Sequence, residues 1–199
     1  ESKLQELEEW LKSYHPENIF NDDGSIKEEI LSFMPKGNRR MSANPICNGG
    51  LLLKELKTPD IKNYMLDAHH GDIVSRDMYN LGAYLRDVIK LNEQNHNFRM
   101  FSPDEAMSNR LNQVFEVTDR QWLMPIGEKD EHVNPYGRVL DSYLSEHFAE
   151  GALEGYLLTG RHGLIHSYES FIRVVDSMIG IHAKWLKMTK ELPWRAPIS

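Results

Sequence analysis

Residues 139–158, VLDSYLSEHFAEGALEGYLL, constrain the fold more than any other stretch, because one continuous run passes from strand to helical periodicity. Val139, Leu140, Tyr143 and Leu144 form an apolar, partly β-branched segment that reads as a buried strand. Ser145 can cap a helix by accepting a hydrogen bond from a backbone N–H one turn on. Beyond it Ala149, Ala152, Leu153, Tyr156 and Leu157 recur at helical spacing, and Thr159-Gly160 supplies the stop. Ligands of open α/β sheets bind at the carboxyl ends of the strands, and Glu146 arrives at that edge. A glutamate there either complements the helix dipole or serves chemistry.

The same alternation extends on both sides. Residues 97–101 read as a short strand, with Pro103-Asp104-Glu105 as the turn at its carboxyl end and a helix following through Leu111 to Val114 or Phe115. Residues 123–137 hold two prolines, two glycines and mixed charges, the composition of a surface loop. Residues 163–166 give a third strand. Ser167-Tyr168-Glu169 then turns into a long helix with Ile172, Val175, Ile179, Ala183 and Leu186 on its buried face, Lys187 and Lys190 near its end and Pro193 closing it. Strand–helix units of this kind imply an α/β fold, a parallel sheet with flanking helices.

The first half reads differently. Leu4, Leu7, Leu11 and Tyr14 form the apolar stripe of an amphipathic helix over residues 1–14, stopped by Pro16. After the turn at Asn21–Gly24, Ser25 and Glu28 have the spacing of a capping box, with Ile26, Ile30, Phe33 or Met34 facing inward. Lys36, Arg39 and Arg40 are either an anion clamp or a solvated loop, and Asn44-Pro45 and Asn48-Gly49-Gly50 are turn formers. Residues 58–74 read as loop with a short helical turn. Met78, Leu81, Leu85 and Val88 mark a helix over residues 75–91. The polar run 92–97 suggests a boundary between a mainly helical linker region, 1–96, and an α/β region, 97–199.

Composition excludes some functions. A formal charge of −7 argues against nucleic acid or an anionic membrane as the main partner. No apolar run is long enough to span a bilayer, and no signal peptide precedes the body. Cys47 is the single cysteine, so an internal disulfide is impossible and a reducing, cytoplasmic setting fits. The nine histidines lack metal-site spacing, and the adjacent pair His69-His70 reads as loop, so no metal ligands are assigned from the sequence.

The segment LSEH, followed by a glycine-bearing helix, resembles the part of the transketolase-like thiamine diphosphate enzymes that carries their cofactor-activating glutamate. The words PKGNRRMSANPICNGG, NFRMFSPDEAMSNRLNQVFEVTDRQW, EGYLLTGRHG, SYESFIRVVDSM and HAKWLK together resemble phosphoketolase. This resemblance runs through nearly the whole chain, which looks like an internal piece of a longer enzyme. It implies that residues 97–199 are the N-terminal part of a pyrimidine-binding domain. The implied reaction cleaves xylulose 5-phosphate or fructose 6-phosphate with inorganic phosphate, giving acetyl phosphate and an aldose phosphate. The implied cofactors are thiamine diphosphate and Mg²⁺, and the implied assembly is a homodimer or higher homo-oligomer. A transketolase-type ketol transferase shares the glutamate and the fold but lacks the RMSANP and LTGRHG words; a non-catalytic assembly domain is the other alternative.

The resemblance also implies roles. Glu146 would meet N1′ of the aminopyrimidine and favour its imino tautomer, with Asp104, Glu105 and Glu150 as candidate neighbours. Ser108 and Arg110 match residues that hold the substrate phosphate, although by themselves they read as a helix-start serine and a surface arginine. Tyr168 and Phe171 fall where related enzymes place aromatics around the pyrimidine, although such residues are more often core. Glu105 resembles an acidic residue near the active site. The family's Gly-Asp-Gly metal motif is missing: Gly71-Asp72 is followed by Ile73. With no provider for the diphosphate and its metal, the 199 residues alone should show no saturable heat when titrated with micromolar thiamine diphosphate, with or without Mg²⁺. Tight Mg²⁺-dependent binding would contradict that reading.

Overall fold

A strand buried on both faces needs a layer on each side. In the computed structural model, β1 (Phe98–Ser102) is such a strand: Met100 turns to one face of the sheet and Phe101 to the other. Described here are residues 2–40, 43–44, 46, 51–66, 71 and 76–191. They belong to two units, residues 1–43 and residues 44–199.

In the second unit, β1 is joined by β2 (Arg120–Gln121), β3 (Val133–Asn134), β4 (Val139–Asp141) and β5 (His162–Ile165). All pair in parallel, in the order β3-β2-β4-β1-β5. Five strands form where three were read from the sequence. The two extra strands are two residues each, too short to carry a period, and pair through their backbones; β3 lies inside the expected loop 123–137 and β2 just before it. The strand at 139 is also shorter than expected. It ends at Asp141, and Tyr143 and Leu144 are exposed rather than buried.

The helix numbered α3 (Asp77–Leu91; α1 and α2 belong to the first unit) covers one face. Its Leu85, Val88 and Ile89 pack with Phe98, Met100, Leu111, Val114 and Val139. The other face carries α4 (Glu146–Leu158), whose Ala149, Leu153 and Leu157 pack on Phe101, and α5 (Ile172–Lys190), whose Trp185 joins that cluster. Helix α3 thus shares its core with β1. The buried face of α5 is rotated from the expected one: Met178 and Thr189 are buried, whereas Ile172 and Ile179 are exposed. A helix of 19 residues offers several apolar stripes, and its contact with α4 selects one.

Between β1 and β2 the expected α-helix is replaced by turns and a 3-10 helix, Asn112–Glu116. Asp104 and Arg110 both adopt left-handed backbone, at φ 61° and 60°, which an α-helix cannot contain. At α4 the expectations hold. Ser145 caps the helix by accepting from the Phe148 N–H at 3.2 Å, and Gly160 ends it at φ 91°.

The first unit contains α1 (Ser2–Lys12) and α2 (Glu28–Phe33). The stripe of Leu4, Leu7 and Leu11 lies on α1 and is exposed, as is Tyr14. The capping box does not form. Ser25 bonds Asp23 in the preceding turn, and Lys27 occupies the cap position of α2 without a side-chain bond. Ile30 is half-buried, while Ile26, Phe33 and Met34 are exposed. Lys36, Arg39 and Arg40 are exposed around a 3-10 turn. Residues 58–74 contain the expected short turn, Ile61–Tyr64. Pro45, Cys47, Asn48-Gly49-Gly50, His69-His70, Asp72-Ile73, Ser75 and Pro193 lie outside the described residues. Among the described residues, no helix is long and apolar enough to cross a membrane.

One residue tests the β2–β4 junction. A Cβ on Gly137 would lie 2.3 Å from the Asp119 carbonyl oxygen and 2.5 Å from the Arg120 carbonyl, both rigid backbone. Gly137→Ala should therefore cost about 1–3 kcal/mol as an overpacking change, read as a lowered urea midpoint with unchanged slope. An unaltered midpoint would show that these strands do not approach so closely.

Candidate functional site

The connections leaving β1 and β4 run in opposite directions. From β1 the chain passes outward to β2 through residues 103–119, on the α3 side of the sheet; Ala106, Leu111 and Val114 join that core. From β4 it crosses β1 to β5 through α4, on the other side. A crevice opens at the carboxyl ends where two connections diverge in this way. Register brings those ends level, with Ser102 opposite Asp141 and Phe101 opposite Ile165.

Glu105 comes to this crevice from β1. The Ser102 hydroxyl accepts from its backbone N–H at 2.9 Å, which holds the tight turn after the strand. Glu105 is 1% exposed, and among the described residues neither carboxylate oxygen has a partner in hydrogen-bonding geometry. Burial, and then the charge of Glu146, push this carboxyl above the usual glutamate range. The Tyr168 backbone N–H, the Ser167 hydroxyl and the Asn109 amide face it and offset part of that rise.

Glu146 arrives from β4 as the first residue of α4 and is half-buried. Its Oε1 accepts from the Ser167 hydroxyl at 3.1 Å. Ser167, after β5, therefore stands between the two carboxylates. The Tyr168 and Phe171 rings lie nearly parallel at the same end of the sheet, centroids 6.2 Å apart at 26°. Tyr168 donates its hydroxyl to the Ser108 oxygen in a short bond. Arg110, exposed on its left-handed backbone, has no hydrogen bond or ion pair for its guanidinium among the described residues.

All six residues expected from the sequence thus fall on the segments after β1, β4 and β5. Glu105, Glu146, Tyr168 and Ser108 are joined through Ser167 and through one another. Of the candidate neighbours of Glu146, Glu105 takes the place. Asp104 is exposed, and Glu150 instead joins Glu154 and His182 between α4 and α5.

Four residues escaped the sequence reading. Ser167 and Asn109 face the carboxylates. The half-buried His166 is linked at Nδ1 to the Asn109 amide at 3.2 Å, and its buried Nε2 has no partner among the described residues. Asp141 accepts from Arg120 Nε at 3.0 Å, and its other, buried oxygen has no partner among the described residues. Three of the four end a strand or lie within two residues of its end; treating every such residue as a candidate would have found them.

Fold and edge together define a class: a parallel α/β chain with two electrostatically coupled carboxylates, Glu105 and Glu146, at a topological switch point. Comparison with known proteins then supplies the family. The model described as D-xylulose 5-phosphate/D-fructose 6-phosphate phosphoketolase matches residues 79–199, and that of the XFP N-terminal domain matches residues 1–52. A probable phosphoketolase of Clostridium acetobutylicum is 58% identical over 198 residues, covering 98% of this chain and 25% of the relative. A xylulose-5-phosphate phosphoketolase of Lactiplantibacillus pentosus is 55% identical over 191 residues, covering 95% of this chain and 24% of the relative. The chain belongs to the phosphoketolase family, and it spans about a quarter of the length of the curated relatives it matches.

The His166 imidazole yields a pH prediction. Burial lowers His166 from 6.5 to about 4, partly opposed by Asp141. Its pKa is depressed on folding, so its contribution to stability is complete above pH 6.5 and is lost as pH falls towards 4. His166→Gln should remove up to roughly 3 kcal/mol of acid sensitivity in that window, measured by urea unfolding at several pH values. A variant whose stability falls as steeply as the parent's would contradict the burial of a neutral imidazole.

Proposed function

We propose that this chain carries the pyrimidine side of the active site of a phosphoketolase that cleaves xylulose 5-phosphate or fructose 6-phosphate with inorganic phosphate. The products are acetyl phosphate and an aldose phosphate. The observation that carries this reading is the Glu105–Ser167–Glu146 arrangement at the switch point, beside two parallel aromatic rings. Residues 97–199 are assigned to the N-terminal part of the pyrimidine-binding domain, and residues 1–96 to a linker region.

The donor set fits an aminopyrimidine. A planar heterocycle needs an apolar wall, and its ring nitrogen needs a carboxyl able to share a proton. Tyr168 and Phe171 supply the wall, and Glu146 supplies the carboxyl. Thiamine diphosphate, when bound, supplies the carbanion that cleaves the carbon–carbon bond. Glu146 holds the proton at the ring nitrogen. Glu105, buried beside it, favours one shared proton over two full charges, and Ser167 orients the pair. Arg110, whose guanidinium has no partner among the described residues, and the hydroxyl of Ser108 bind the sugar phosphate by charge-assisted hydrogen bonds. Magnesium and the diphosphate are assigned to other parts of the full-length enzyme, and so is the oligomer interface.

Glu146→Gln in the full-length enzyme should lower acetyl phosphate formation by about a hundredfold or more while leaving far-UV circular dichroism unchanged. Wild-type turnover in that variant would overturn the assignment. Product formation that persists without inorganic phosphate would overturn the reaction.

A further inference from the structure

One turn further along α4 from Glu146, α4 and α5 bring together three metal-ligating side chains that the mechanism does not use. Glu150 and Glu154 are one helical turn apart on α4, and His182 faces them from α5. His182 Nδ1 lies 2.8 Å from Glu154 Oε1 and 3.8 Å from Glu150 Oε1. One donor atom from each residue lies within 4.8 Å of the other two. We propose that Glu150, Glu154 and His182 form a binding site for a divalent transition-metal ion, with Zn²⁺ as the representative occupant.

The geometry suits such an ion. Zinc binds nitrogen and oxygen donors at about 2.0–2.2 Å in a tetrahedron, so its ligand atoms sit about 3.4 Å from one another. The two observed separations bracket that spacing. Three protein donors leave a fourth position for water. One imidazole and two carboxylates favour Zn²⁺ or Mn²⁺ over Mg²⁺, which takes oxygen ligands alone.

Charge points the same way. All three side chains are at least three-quarters buried, at 14%, 23% and 25% exposure. Among the described residues no lysine or arginine pairs with either glutamate. A bound dication would balance both negative charges. The Trp185 ring, 5.3 Å from the imidazole and tilted at 34°, packs against His182. Linear spacing gave no metal signal because the third ligand comes from the next helix.

Zn²⁺ is titrated into the full chain against a chromogenic chelator. The expected result is one ion taken up per chain, weakened about tenfold or more by Glu154→Gln and by His182→Asn. The double substitution of His69 and His70 by alanine should leave uptake unchanged. Glu154→Gln is nearly isosteric and decides alone if His182→Asn fails to fold. Absence of competition by the parent chain would overturn the site. So would undiminished uptake in the Glu154 variant, or loss of uptake in the His69/His70 variant.

Discussion

The carboxyl edge depends on the register of β1 between β4 and β5. Because Ser102 lies opposite Asp141 and Phe101 opposite Ile165, three chain segments leave the sheet at one level. Each then delivers a polar residue within a few positions: Glu105, Glu146 and Ser167. A slip of one residue in β1 would exchange Met100 and Phe101 between the two cores and rotate Glu105 out of the crevice. The fully buried Met100 and nearly buried Phe101 therefore specify the site as firmly as they specify the fold.

That placement works against stability. Glu105 is buried without hydrogen-bonded oxygens, beside a second carboxylate, and its pKa is raised on folding. A raised carboxyl contributes stability below the ordinary glutamate pKa, and that contribution is lost as pH rises through the folded value. Near neutral pH the pair is thus a source of strain held by the two apolar layers around it. Such strain is found where a carboxyl must keep or share a proton. The helix cap at Ser145 and the bond from the Ser167 hydroxyl fix Glu146 without removing the repulsion.

How much was legible in the sequence follows from the range of each signal. The helical spacing over 146–158, the cap at Ser145 and the stop at Gly160 are local and appear as read. The carboxyl-edge positions of Glu105 and Glu146 follow from strand ends, which apolar runs reveal. The two-residue strands β2 and β3 carry no period, and their pairing is set by backbone neighbours distant in the chain. The buried face of α5 was misread because its packing on α4 chooses among apolar stripes that the sequence leaves equivalent. His166 directly follows β5 and Asp141 ends β4, and only the fold shows that both hold a buried polar atom at the same edge. The capping box at Ser25 failed because a nearer aspartate, Asp23, takes the hydroxyl.

The account rests on Glu105 and Glu146 being electrostatically coupled across the crevice. Carboxyl-carbon NMR titration of the glutamate-labelled chain measures this directly. The account predicts that Glu105 titrates above the usual glutamate value of about 4.3 and moves back towards it when Glu146 is replaced by glutamine. An ordinary midpoint for Glu105 that does not respond to that replacement would contradict it.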